Sequence, residues 1–521
     1  MRGRLPVRVF NVNKAVGLAS SGVEYAQMYR RELFADIPWV EDSYVFTDYM
    51  GTNISYFSDR IGIPRHQVLW IYNLVAGRET LPSTVRLDDY IATIGQPHAD
   101  PQMFRHHTDV ALADSSVRYR IRTLAGGIVD RVETLVGDQL IRMEHHDESL
   151  NNVEHFQDGA LARRVFHTTD GRVAAEQFYR DGEITRTVIT PASPLHRPGA
   201  RPGRERPSTF TGDVVLEGRS QFFRFVFERL FDRQDDVVIV DRALDVIDSI
   251  YPVIGGRRLY SIVHAEHFDL KQIDDGVLLW NNHYENVFTR PDLVDAFVVS
   301  THRQQEVLQQ QLAARLPEGD FRVVRIPVGF VSVLDEPPAY DPVALVTASR
   351  LADEKHIDLL IRAVAAARER VPGLRLDIYG EGDRDPLLKV IDETGTQDCV
   401  RLMGHQKLES VLGTYALYLS ASTSEGFGLS LLEAIAEGLP IVGFDVDYGN
   451  REMVEPGVNG LLVPHTSDDG DAGALADAVV EVLTSGGLDD MRARSLQRAG
   501  AYTAAHVGEL WERLLSEEAS C

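Results

Sequence analysis

Apolar and polar positions follow three different patterns along the chain. In the first stretch, short apolar runs alternate with segments of helical period. Val7–Val12 is a continuous apolar-rich run, Gly17–Gly22 a loop of small residues, and Val23–Leu33 an amphipathic stretch. This predicts strand, loop and helix. Val68-Leu69-Trp70-Ile71-Tyr72 is a further buried run. From about residue 103 to 190 the period shortens to two, and turn pairs recur: Gly137-Asp138, Asp158-Gly159, Asp170-Gly171 and Asp181-Gly182. Between Ser116 and Leu124, Val117, Tyr119 and Ile121 alternate with Arg118, Arg120 and Arg122, which predicts a half-buried antiparallel strand with a basic outer face.

After a linker, Pro191–Pro207, with five prolines and four arginines, the first pattern returns. Asp236–Val240, Leu259–His264, Ala296–Thr301 and Phe321–Ile326 are apolar runs of the kind buried on both faces of a parallel sheet. A second series begins near Pro342. It has strands at Val343–Ser349, Leu374–Tyr379, Tyr415–Ala421 and Ile441–Phe444, a helix at His356–Arg370, and a helical tail at Gly473–Ser516. The fold class expected is α/β, with two doubly wound domains facing a cleft and an antiparallel β-sheet inserted in the first. The expected division is 1–84 and 206–335 for the first domain, 85–205 for the insertion and linker, 336–500 for the second domain, and 501–521 for a C-terminal helix.

Length and composition agree with this picture. A chain of 521 residues, 44% hydrophobic and 25% charged, has room for about three packed domains. Its two cysteines, Cys399 and Cys521, exclude a disulfide scaffold and fit a reducing cytoplasm. The net charge of −25 disfavours nucleic acid as a partner. Only five of the 53 basic residues are lysines. No run reaches the ~18–20 apolar residues of a membrane helix, and Asn11, Asn13 and Lys14 interrupt the N-terminal stretch, making it a poor signal peptide.

Parallel sheets bind ligands at the carboxyl ends of their strands, and four such loops carry candidate chemistry. Gly17–Gly22 offers close backbone approach and a helix N-terminus, although a plain tight turn explains it equally well. Ser349–Lys355 brings Arg350 and Lys355 to a strand end, where a fork and a point charge suit a diphosphate; surface charges balanced by Asp353 and Glu354 are the alternative. Glu425-Gly426-Phe427-Gly428 precedes a helix carrying Glu433, whose carboxylate can accept two ribose hydroxyls. His264 ends a buried strand next to Glu266 and His267, a set that invites a metal reading. Positions 264 and 267 on extended chain do not obviously converge, so no metal is expected. Asp445-Val446-Asp447 has the spacing of a metal-binding acid pair but follows the strand after the Glu433 helix.

Together these loops resemble those of retaining GT-B glycosyltransferases of family GT4. SRLADEKHID and EGFGLSLLE look like the nucleotide-sugar signature, with Glu425 and Glu433 as its EX7E pair. ASSGVEYAQMYR, FTDYMGTNISYF, QVLWIYN, IVHAEHF and WNNHYENVFT are similar to the GtfA-like glycosyltransferases of the accessory Sec system. That family starts O-GlcNAc modification of serine-rich repeat adhesins. The resemblance implies two Rossmann-like domains, the second binding the nucleotide sugar UDP-GlcNAc, and a Ser or Thr acceptor on a serine-rich polypeptide. It also implies a homologous non-catalytic partner (GtfB-like) or self-association, no nucleic-acid partner and no cofactor, in the cytoplasm or at the inner face of its membrane. Carried over, Gly22, Val23, Glu24 and Tyr25 contact UDP or the sugar, and His264 sits at the GlcNAc. Arg350 and Lys355 hold the diphosphate, and His405 and Gln406 flank the nucleotide. Glu425, Gly426, Phe427 and Gly428 lie along the sugar and phosphates, and Glu433 binds the ribose. Arg350, Lys355, Glu425 and His264 form the expected catalytic set. A poly(glycerol-phosphate) or teichoic-acid-type α-glucosyltransferase, a nucleotide-binding structural protein and a non-catalytic partner that only binds acceptor remain as alternatives. The acidic charge and the long linker, RPGARPGRERP, depart from the family pattern and leave acceptor and partner open.

Overall fold

The structure, a computed structural model, describes residues 6–15, 22–51, 54–113, 115–196, 212–269, 278–316, 319, 321–466 and 470–517. Residues 16–21, which include most of the Gly17–Gly22 loop, and 197–211, which include most of the linker, lie outside that set.

The first domain is built on a seven-stranded sheet. Its spatial order is Val323–Arg325, Ala296–Val299, Arg258–Val263, Val237–Val240, Val7–Asn13, Val40–Phe46, Val68–Trp70. All pairs are parallel. The chain runs outward from Val7–Asn13 in one direction, then restarts at Val237–Val240 on its other side, so the order reverses between these two strands. The run Val7–Asn13 feeds two cores. Val7 and Val9 pack with Leu33, Phe34 and Trp511, while Phe10 and Val12 pack with Phe227, Phe231 and Val238. Burial on both faces explains why the strand reads as a continuous apolar run rather than an alternation.

The second domain repeats the plan with six parallel strands in the order Val400–Gly404, Arg375–Tyr379, Asp341–Ala348, Tyr415–Ser420, Ile441–Phe444, Gly460–Val463. Leu345, Leu417 and Leu419 face one core; Ala344, Val346 and Tyr418 face the other. Its reversal lies between Asp341–Ala348 and Tyr415–Ser420.

The insertion is a ten-stranded antiparallel meander in sequential order, from Gln102–Met103 to Val214–Glu217. It extends past the expected limit at 205, because Val214–Glu217 pairs with Glu183–Ile189. The sheet is anchored to the first domain by Arg78, whose buried guanidinium donates to Asp147, Ser149 and the carbonyls of Leu150 and His167. Tyr49 adds a 2.6 Å hydrogen bond to Asn152. The alternation of residues 117–122 is present, but the basic outer face is not an unbalanced one. Arg120 forms a two-point bridge to Asp109 at 3.1 Å, Arg118 reaches Asp109 and Asp138, and Arg122 binds Glu133. Acids on the neighbouring strands and turn neutralise the stripe, which a one-strand pattern does not reveal.

The C-terminal helices and a buried carboxylate join the domains from outside the cleft. The helical tail divides into Asp471–Thr484, Leu488–Ala499 and Ala504–Ser516, and the last helix returns to the first domain. There Trp511 meets Phe34 edge-on at 5.5 Å, and Arg258 donates to the Leu515 carbonyl. The carboxylate is that of Glu452, buried in the second domain. It accepts from the His302 backbone N–H at 2.9 Å, from Arg325 at 2.8 Å and from Tyr502 at 2.9 Å. Glu452→Ala strands the largely buried Arg325 guanidinium, so it should lower the unfolding free energy by about 3–5 kcal/mol. A urea titration followed by circular dichroism measures this; an unchanged midpoint would show that the latch carries no stability.

Candidate active site

Each sheet presents its reversal point to the cleft, and the chemistry-bearing side chains gather there. In the second domain, Lys355 lies in the loop after Asp341–Ala348 and Glu425 in the loop after Tyr415–Ser420. These are the two strands flanking the reversal, and Lys355 Nζ and Glu425 Oε2 are 2.6 Å apart. Arg350 stays at the surface with 73% of its side chain exposed and pairs with Glu354 at 2.9 Å. It thus takes the local partner that the alternative reading offered, whereas Lys355 does not.

Gly428 precedes the helix Leu429–Ala436, which carries Glu433. Glu433 opens to solvent, yet burial around its carboxyl pushes it up to about 7, with Glu437 adding repulsion. Across the cleft Tyr29 is pushed up to about 12, first by burial and then by the Glu433 charge. His405 and Gln406 are exposed at the end of Val400–Gly404, where the Gln406 amide donates to the Met403 carbonyl at 3.0 Å.

In the first domain, Asp241 and His264 follow the adjacent strands Val237–Val240 and Arg258–Val263. His264 Nε2 lies 2.9 Å from Asp241 Oδ1, and the Asp241 side chain is wholly buried. Oδ2 accepts from Gln27 at 2.9 Å and Arg30 at 2.5 Å. Burial alone would raise the Asp241 carboxyl; Arg30 and the His264 hydrogen bond outweigh it and hold it at about 2. Gln27 and Arg30 belong to the helix Gly22–Ala35, whose first turn contains the expected contacts Gly22, Val23, Glu24 and Tyr25. Glu24 is buried with Arg242 at 3.5 Å, and Tyr25 is exposed. His267 does not join His264. Its ring stacks between Trp280 and Tyr448 and bonds Gln311 at 2.9 Å, and burial pushes it down to about 4. The Asp445 and Asp447 carboxylates both bind Arg451, at 2.6 and 2.7 Å.

The two halves meet at backbone distance. A Cβ on Gly426 would lie 2.4 Å from the His264 carbonyl oxygen, so only glycine admits this approach. Ser424 also donates to Glu266 across the cleft at 3.3 Å. Sequence reasoning identified His264 and Gly426 separately, but missed Asp241, Gln27, Arg30 and Glu452. Asp241 had the clearest signal of these, as an acid directly after the buried run Val237–Val240. Gly380 was a further signal: a Cβ there would fall 1.8 Å from the Ser349 carbonyl, which fixes the start of the Arg350 loop. For Gly426→Ala we expect a folded chain whose loops 264–266 and 425–428 exchange amide hydrogens faster, with sheet protection unchanged. Hydrogen-exchange mass spectrometry checks this, and wild-type exchange in both loops would contradict the close approach.

Comparison with known proteins gives the family. Residues 342–485 match the family described as glycosyl transferases group 1. A protein of Streptococcus pneumoniae named UDP-N-acetylglucosamine–peptide N-acetylglucosaminyltransferase GtfA subunit is 34% identical over 521 residues, covering 98% of this chain and 99% of the relative. Among solved structures, the pneumococcal O-GlcNAc transferase GtfA in complex with UDP and GlcNAc superposes with a TM-score of 0.85 at 33% identity, covering 98% of both chains. A GtfA/B complex gives a TM-score of 0.88 at 32% identity, covering 98% of this chain and 99% of that one. TarM, at 18% identity and a TM-score of 0.76, shares the fold. With two parallel-sheet domains, a meander insertion and relatives matched end to end, the chain belongs to the GtfA subunit family of UDP-N-acetylglucosamine–peptide N-acetylglucosaminyltransferases, of GT-B fold.

Proposed function

We propose that this chain transfers GlcNAc from UDP-GlcNAc to Ser or Thr hydroxyls of a serine-rich polypeptide, with retention at the anomeric carbon. The observation that carries the reading is the Lys355–Glu425 pair, which joins the two loops of the second domain's reversal point beside the Gly426–His264 contact. An ammonium there meets a diphosphate, and the adjoining loop runs along the sugar. Arg350, exposed on the same loop, swings from Glu354 to the phosphates. Glu433 accepts the ribose hydroxyls. His264, Gly426 and the first turn of Gly22–Ala35 enclose the sugar, with His405 and Gln406 at the nucleotide.

In the reaction the bond from the anomeric carbon to the β-phosphate oxygen breaks, and a bond to the acceptor oxygen forms on the same face. The acceptor proton passes to the departing diphosphate, so no covalent enzyme intermediate is needed. Lys355, Arg350 and the start of Leu429–Ala436 stabilise the growing phosphate charge, the largest contribution such a site makes. These cations take the place of a metal ion, and Asp445 and Asp447 are already engaged by Arg451.

The GtfA/B complex among the relatives supports a homologous partner for this chain as well. No helix among the described residues is long and apolar enough to cross a membrane. A cytoplasmic location, with peripheral contact at the inner face of the membrane, belongs to the same proposal.

The test is hydrolysis and peptide transfer across a panel of UDP-sugars, with and without EDTA. UDP-GlcNAc should be preferred and EDTA without effect. Arg350→Ala and Lys355→Ala should each lose roughly 2–4 kcal/mol of transition-state stabilisation. Wild-type rates in both variants, or a strict metal requirement, would overturn the mechanism; preference for another sugar would overturn the donor assignment.

Glu433 makes UDP binding depend on pH. Its carboxyl is pushed up to about 7, and the ionised form, with both oxygens free to accept, is the stronger acceptor for two hydroxyls. UDP affinity should therefore fall as the pH drops from about 8 to about 6, as the carboxylate takes up its proton. Glu433→Gln should bind UDP weakly at both pH values. Calorimetric titration checks this, and equal pH slopes in wild type and variant would remove Glu433 from the ribose.

A further inference from the structure

We propose that Asp241 is a positioning residue for His264, holding the ring so that Nδ1 is a bare acceptor reserved for a hydroxyl of the transferred sugar. The proposal rests on the donor reading above and adds the atom by which the first domain would bind the sugar.

Three observations support it. An ionised carboxylate only accepts hydrogen bonds, so the 2.9 Å contact between Asp241 Oδ1 and His264 Nε2 places the proton on Nε2. In the neutral ring Nδ1 then carries a lone pair. Second, Asp241 cannot turn away. Its other oxygen is held by Gln27 and Arg30, which are donors, and its backbone N–H bonds the Val12 carbonyl at 3.0 Å. Third, His264 Nδ1 is buried and has no hydrogen-bond partner among the described residues. A buried polar atom left unpaired is costly and calls for an explanation, which beside the cleft a bound ligand supplies. The ring leaves its strand at the cleft, where the His264 carbonyl touches the Gly426 position. The Tyr284 hydroxyl, accepting from the His264 and Ala265 backbone N–H groups at 3.0 and 3.1 Å, fixes the main chain there. The sugar is the partner of the remaining nitrogen. Gln27 and Arg30 share a helix with Gly22–Tyr25, so the same carboxylate also sets the helix that bears the other first-domain contacts.

The experiment uses the full chain labelled with 15N-histidine, with His264→Gln identifying the His264 signals. Free wild-type protein should show Nε2 protonated and Nδ1 not, and addition of UDP with GlcNAc should shift the Nδ1 signal. In Asp241→Asn the side-chain carbonyl stays with Arg30 and Gln27, and the amide turns to Nε2, forcing the proton onto Nδ1. Transfer should then fall by about 10- to 100-fold, the size of one lost hydrogen bond to a charged or polar partner, while UDP affinity is kept. A merely structural Asp241 would lower stability without moving the ring proton. A protonated Nδ1 in the free wild-type protein, an Nδ1 signal unmoved by UDP with GlcNAc, or unchanged transfer in folded Asp241→Asn would each overturn the proposal. If that variant does not fold, the wild-type spectra decide. A wild-type chain inactive with UDP-GlcNAc would refute the donor reading instead, and the protonation state of the free ring would still judge Asp241.

Discussion

The arrangement depends on one steric constraint: the main chain at His264 and Ala265 touches the main chain at Gly426, with no room for a side chain between them. Two separately wound sheets, each with its reversal point at the carboxyl ends of its strands, form a cleft where these two loops come together. The Lys355–Glu425 pair on one side and the His264–Asp241 pair on the other become parts of one site through that contact. The Glu452 latch and the returning helix Ala504–Ser516 hold the domains in that relation from outside the cleft.

Charge in the interior is handled by pairing. Asp241, Glu452 and Asp147 are buried carboxylates, each facing an arginine: Arg30, Arg325 and Arg78. A planar guanidinium bonds several acceptors in a fixed fork and suits these positions better than lysine. Lys355 is the informative exception. It is one of five lysines in the chain, and its point charge meets the Glu425 carboxylate at 2.6 Å. Glu433 is the opposite case: burial, and then the neighbouring Glu437 charge, push its carboxyl up to about 7.

Much of this was legible in the residue pattern, because periodicity and strand-end position are local. The runs Val7–Val12 and Asp236–Val240 announced parallel strands, and the apolar residues around Glu433 announced the helix Leu429–Ala436. What stayed hidden depends on residues far apart in sequence. Arg120 reads as basic surface until the fold brings Asp109 beside it, and Asp241 reads as a strand-end acid until Arg30 and His264 converge on it. Glu452 sits in a short helix with no motif, and its partners His302 and Arg325 lie in the other domain. The insertion ran past its expected end because Val214–Glu217 lies beyond the proline-rich linker, where the local pattern had already returned to α/β.

In the proposed function a nucleotide sugar occupies the cleft between the two reversal points and touches both domains. A crystal structure of the chain with UDP and GlcNAc is the decisive experiment. The diphosphate is expected at Lys355, with its ammonium drawn away from Glu425, the ribose on Glu433, and the sugar between Gly426 and His264. A nucleotide bound outside this cleft, or bound within it while Lys355 remains on Glu425 and His264 touches nothing of the sugar, would contradict it.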